Sequence, residues 1–177
     1  RVRRRDSRRT FFTGVLGAAA GAAALSNAAQ AQTTPSPTPT PTATFTEADV
    51  LFFALNLEYL EANYYAFAVT GSGLASADIT GATGTAGTAT GGRAVAFKDP
   101  VVQQYANEIY QDELAHVEFL RNALGTGAIA MPNLDISATA TSAFSNAARA
   151  AGLIGQGATF DPYENDDNFL LAAFLFE

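Results

Sequence analysis

The chain has 177 residues, of which 48% are hydrophobic and 11% aromatic, enough for one folded domain with a core and too apolar for wholesale disorder. It holds no Cys and one His, which excludes a disulfide framework, a thiolate zinc site, an iron–sulfur cluster, a cysteine nucleophile and any site that draws two histidines from one copy. The net charge of −7 hides an asymmetry, because beyond residue 32 only four basic residues face sixteen acids; such a body repels nucleic acid and anionic membranes and attracts cations.

Six of the ten basic residues lie within the first nine positions. A modest apolar run from Phe11 to Leu25 follows, and then Ala29-Gln30-Ala31. That order is n-region, h-region and A-x-A cleavage site, with cleavage after Ala31. The run is too short and too rich in Gly and Ala for a stable membrane span. Within it Ser7-Arg8-Arg9-Thr10-Phe11-Phe12 resembles a twin-arginine export signal. The resemblance implies export of a folded protein by the twin-arginine machinery and a periplasmic or secreted location. Alternating Pro and Thr over residues 33–42 favour an extended, semi-rigid spacer. The expected organisation is a signal peptide over 1–31, a linker over 32–44 and a folded domain over 45–177.

Thr46-Glu47-Ala48-Asp49 reads as a capping box with an acid at the third helical position, opening a helix to about residue 68. Val50, Leu51, Ala54, Leu57, Glu58, Glu61 and Tyr65 fall on one side of it. Residues 70–92 carry seven glycines without periodicity and predict a loop or a pair of flexible turns. Asp99-Pro100 supplies an N-cap followed by Pro at the first helical position. The helix it starts should run through Leu124 and stop at Gly125, a span of about 37 Å at 1.5 Å per residue. A short helix is expected from Ser142 to Ala151, a turn at Asp161-Pro162-Tyr163, and a last helix capped by Asp166 or Asp167. That last run, Phe169-Leu170-Leu171-Ala172-Ala173-Phe174-Leu175-Phe176, is apolar all round and belongs in a core. The absence of an initial Met and of a C-terminal cap after Glu177 leads us to expect a fragment of a longer protein.

The informative residues are polar ones inside apolar stripes. Glu113 and His116 are three apart on one helix face, and Ile109 and Leu120 place that face inward. A buried carboxylate and imidazole need a partner, since breaking a buried pair costs about 3–5 kcal/mol. A divalent metal satisfies both, and so does a plain Glu–His hydrogen bond that only stabilises a bundle. Glu58 shares the buried side of the first helix, with Glu61 read as a solvated rim residue and Tyr65 as core packing or a hydroxyl beside a metal.

Leu57-Glu58 with Tyr65 seven later, then Glu113-Leu114-Ala115-His116, resembles the first half of a ferritin-like di-iron bundle. Asn56-Leu57-Glu58-Tyr59-Leu60-Glu61-Ala62, Phe160-Asp161-Pro162-Tyr163 and Phe169-Leu170-Leu171-Ala172-Ala173-Phe174 narrow it to bacterial ferritin-like proteins related to plant desiccation-related proteins. The resemblance implies an all-α fold, a four-helix bundle to which this chain gives the first two helices and the start of the third. It implies Glu58, Glu113, His116 and Glu177 as ligands of a di-metal centre of Fe or Mn, with Tyr65 giving an electron or a hydrogen bond to a ligand. The second Glu-x-x-His of the family pattern has no counterpart in the sequence. Two functions follow: an exported protein that binds the di-metal centre and oxidises Fe(II) or reacts with oxygen or peroxide, or a stress- or desiccation-related envelope protein that keeps the bundle without turnover. A homodimer would complete the ligand set by symmetry.

Overall fold

The computed structural model describes residues 45–176. The expected signal peptide and linker, and Glu177, lie outside the described residues.

Helix α1 spans Glu47–Thr70. Thr46 Oγ1 accepts from the Asp49 amide at 3.2 Å, and Asp49 Oδ2 accepts from the Thr46 amide at 2.8 Å, so the capping box is complete. Gly71 closes the helix at φ 78°, its amide donating to the Phe67 carbonyl. A one-turn helix α2 follows at Ser76–Ile79, and then strand β1 at Ala89–Thr90. Helix α3 spans Pro100–Leu124 with Asp99 as its N-cap and Gly125 at its end, as the local signals dictate. A 3₁₀ turn at Gly125–Gly127 leads to strand β2 at Leu134–Asp135, helix α4 at Ala143–Ala150 under a Ser142 cap, and helix α5 at Asp166–Phe176. The described residues form an all-α scaffold with two minimal strands, and none of their helices is long and apolar enough to cross a membrane.

The long helices α1 and α3 run antiparallel. Leu55, Tyr59 and Ala62 pack with Val117 and Leu120, whereas Tyr64, Tyr65 and Ala68 pack with Ala106, so the partner number falls as the other rises. Their shared core has two apolar clusters. Leu55, Tyr59, Ala62, Val117, Leu120 and Met131 form one. Tyr64, Tyr65, Ala68 and Ala106, with Phe144, Phe160, Tyr163 and Phe169 from the later segments, form the other. On α3, Glu113 and His116 fall between the two clusters, and Glu58 meets His116 from the stretch of α1 that carries the first.

Three expectations are corrected. The glycine-rich segment is no flexible loop. Its backbone pairs along its length with the connection after α3: β1 lies parallel to β2, Ala89 opposite Leu134, Thr83 bridges Ile129, and the Gly87 amide donates to the Met131 carbonyl at 2.7 Å. A Cβ at Gly81 would overlap the Ile129 and Ala130 backbone, and one at Gly87 the backbone of Pro132 and Asn133. The glycines therefore serve close approach, a use that composition does not separate from flexibility. The second correction concerns the α5 cap. Asn165 Oδ1 accepts from the Asn168 amide at 2.9 Å, whereas the Asp166 carboxylate accepts from the Lys98 and Asp99 amides at 3.1 Å, tying the start of α5 to the start of α3. The third is burial. Phe169, Ala172 and Ala173 are buried, but Leu170, Leu171, Phe174 and Leu175 are exposed, because a helix apolar on all sides still packs through one face against the described residues. On α1 likewise, Val50 of the expected stripe is exposed.

Candidate metal centre

Helical spacing brings three donors to one point. Glu113 and His116 stand one turn apart on α3, and Glu58 faces them from α1. One ligand atom of each lies within 4.8 Å of the others. Two donors on opposite sides of one ion with bonds of about 2.2 Å stand about 4.4 Å apart, so only a small contraction separates this group from a coordination shell.

His116 Nδ1 lies 2.9 Å from Glu113 Oε2 in a hydrogen bond and 3.2 Å from Glu58 Oε2. A ring N–H has one proton to give, and it goes to Glu113. Glu58 Oε2 is thus buried beside a cation without accepting a hydrogen bond. Glu113 is fully buried, while the His116 side chain is 40% exposed, so the group opens to one side. The hydrogen bond to Glu113, then the closeness of Glu58, push the His116 imidazole up to about 10, against the opposing effect of burial. Burial first, and the neighbouring Glu113 carboxylate, raise the Glu58 carboxyl above its ordinary range. Two crowded carboxylates and one orphaned oxygen are a setting that a cation relieves, and O and N donors of this kind suit Fe, Mn and Zn. The residues present fit the metal that the bundle family implies.

Of the other residues singled out by sequence, Tyr65 is fully buried and its ring lies 5.1 Å from Tyr64 and 6.0 Å from Phe169, in the aromatic cluster. Glu61 is half-buried and is not a member of the three-donor group. Glu177 lies outside the described residues. Sequence reasoning missed a link next to the group in the chain: Arg121 Nη1 donates at 2.6 Å to the hydroxyl of Tyr59, the residue that follows Glu58. Its trace in the sequence was an isolated Arg near the end of α3 in a body with only four basic residues.

Residues 46–177 match a family model described as a ferritin-like domain. The chain is also similar to the desiccation-related protein PCC13-62 of Craterostigma plantagineum, with 30% identity over 130 residues. That alignment covers 73% of this chain but 39% of the plant protein's length. No solved structure matches.

Proposed function

The chain belongs to the ferritin-like domain family, its match running over residues 46–177, and from that premise we propose that it is an exported metal-binding protein, with Glu58, Glu113 and His116 as this chain's share of a di-metal centre of iron or manganese. The observation that carries the reading is the buried, unsatisfied Glu58 oxygen facing Glu113 and His116. Bound there, iron or manganese would supply Lewis acidity and one-electron chemistry for oxidation of Fe(II) or reaction with oxygen or peroxide.

The chain's own residues divide the work. Glu113, sealed in the helix interface, keeps a fixed carboxylate in a dry place where its charge acts strongly. Glu58 supplies a second carboxylate whose free oxygen already points at the same spot. His116 must release its Nδ1 proton before it can act as a ligand, and the exposed side of its ring gives that proton a way to solvent. Glu177 would add a further carboxylate to the set. Export rests on Ser7-Arg8-Arg9-Thr10-Phe11-Phe12 and Ala29-Gln30-Ala31, and it sets the location as periplasmic or secreted.

A second reading draws on the plant relative's name: a desiccation- or stress-related envelope protein that keeps the bundle without turnover. Metal analysis of the protein taken from its native compartment, followed by Fe(II) oxidation under air, separates the two. Stoichiometric iron or manganese with repeated turnover supports the first. Bound metal without turnover supports the second, and protein free of metal that binds none on titration sinks the metal reading.

A further inference from the structure

A second polar link joins α1 to α3 close to the ligand group. Tyr59 follows Glu58 in the chain and is fully buried. Its hydroxyl accepts from Arg121 Nη1 at 2.6 Å and donates to the Ile129 carbonyl at 3.0 Å. Arg121 lies five residues past His116 on α3, and its Nη2 donates to the carbonyls of Ala77 at 3.1 Å and Thr80 at 2.5 Å. One guanidinium and one phenol thus tie together both long helices and both connections.

Apolar contacts between Leu55, Ala62, Val117 and Leu120 are non-directional and tolerate small slides and rotations of one helix on the other. A hydrogen bond does not, because it weakens steeply with angle and distance. Any slip of α1 that broke the Tyr59 bond would carry the adjacent Glu58 with it. Glu58 Oε2 stands 3.2 Å from His116 Nδ1, and a ligand group works only within about 0.5 Å of its productive geometry. The planar fork of Arg reaches three acceptors on two segments at once, which the single ammonium of Lys could not do from one position.

We propose that Arg121 is a positioning residue, acting through Tyr59 to hold Glu58 in register with Glu113 and His116. Its consequence for metal binding rests on the function proposed above; its consequence for helix register does not.

Two readouts on the full chain keep these apart. Co(II) affinity is measured for the parent, Tyr59→Phe, Arg121→Met and the double variant, at temperatures well below each unfolding midpoint. Tyr163→Phe is the control, since it removes a buried hydroxyl bond to the Ile136 carbonyl away from the clamp. The single variants should bind Co(II) about tenfold more weakly or worse, the double variant no more weakly than the worse single, and the control like the parent. In metal-free protein, nitroxides at Phe53→Cys and Asn122→Cys report helix register by electron–electron distance; both positions are exposed and the chain has no other Cys. The distance distribution should shift or broaden in Tyr59→Phe and Arg121→Met. Co(II) affinities within twofold of the parent would overturn the clamp's role at the centre while leaving the metal reading intact. If the parent itself binds no Co(II), the metal reading fails and the spin labels decide the clamp alone, an unchanged distribution overturning it.

Discussion

Replacing His116 by Ala separates a metal centre from a buried Glu–His pair. Without metal, the change removes the 2.9 Å hydrogen bond between the imidazole and the fully buried Glu113. Breaking a buried pair costs about 3–5 kcal/mol. The ring is 40% exposed, so water partly replaces it and Glu113 can take up a proton; the cost should fall to about 1–2 kcal/mol. With metal present the two readings diverge. A site that binds only the folded chain adds about 2.7 kcal/mol at roughly a hundredfold excess of metal over Kd. For a body of this size that is roughly 10 °C in Tm. The parent should gain that increment with Mn(II) or Co(II), and His116→Ala should lose most of it. The assay is urea or thermal unfolding of both proteins with and without metal. If His116→Ala keeps the parent's full metal-induced increment, the imidazole is no ligand and the pair is a structural hydrogen bond.

The same imidazole sets a pH dependence. Its value is raised from 6.5 unfolded to about 10 in the folded chain, so its stabilisation is fully present below pH 6.5 and is lost as pH rises through 10. Metal-free midpoints should decline across that window in the parent and decline less in His116→Ala. Calorimetric titration of metal at pH 7 in buffers of different ionisation enthalpy should show proton release, and buffer-independent heats would contradict a protonated resting imidazole. Gly87→Ala should destabilise the chain by about 1–3 kcal/mol through overlap with Pro132 and Asn133; a neutral result by denaturant unfolding would mean that the paired connections yield easily. Arg8→Lys with Arg9→Lys should hold the precursor in the cytoplasm, and unchanged processing on fractionated cell extracts would point to the general secretion route.

Much of the scaffold was legible because its signals are local. The Thr46 capping box, Asp99-Pro100, Gly125 and Ser142 each mark a helix boundary within four residues of sequence, and the three-residue spacing of Glu113 and His116 fixes them on one face. That Glu58 meets them required only the antiparallel pairing of two adjacent long helices. The missed features depend on partners distant in sequence. Gly87 meets Met131 across the whole of α3, and no periodicity within either connection announces it. Among Asn165, Asp166 and Asp167 any short polar side chain could cap α5, and the choice falls to Asn165 because Asp166 is engaged by the Lys98 and Asp99 amides. Uniform apolarity in Phe169-Leu170-Leu171 conceals which face is turned inward.

The paired connections also bear on the order of folding. They join segments on either side of α3, so they can form only after a long loop has closed, and closure entropy must be spent before those bonds return anything. The hydrogen bonds inside α1 and α3 are local and can form first, and the paired connections then close around a nearly finished α3. Once shut, they remove the freedom that a glycine-rich stretch otherwise offers to a protease. Residues 80–92, the most cleavable-looking part of the described chain by composition, are thereby turned into a clasp whose opening requires much of the α3 surroundings to open as well.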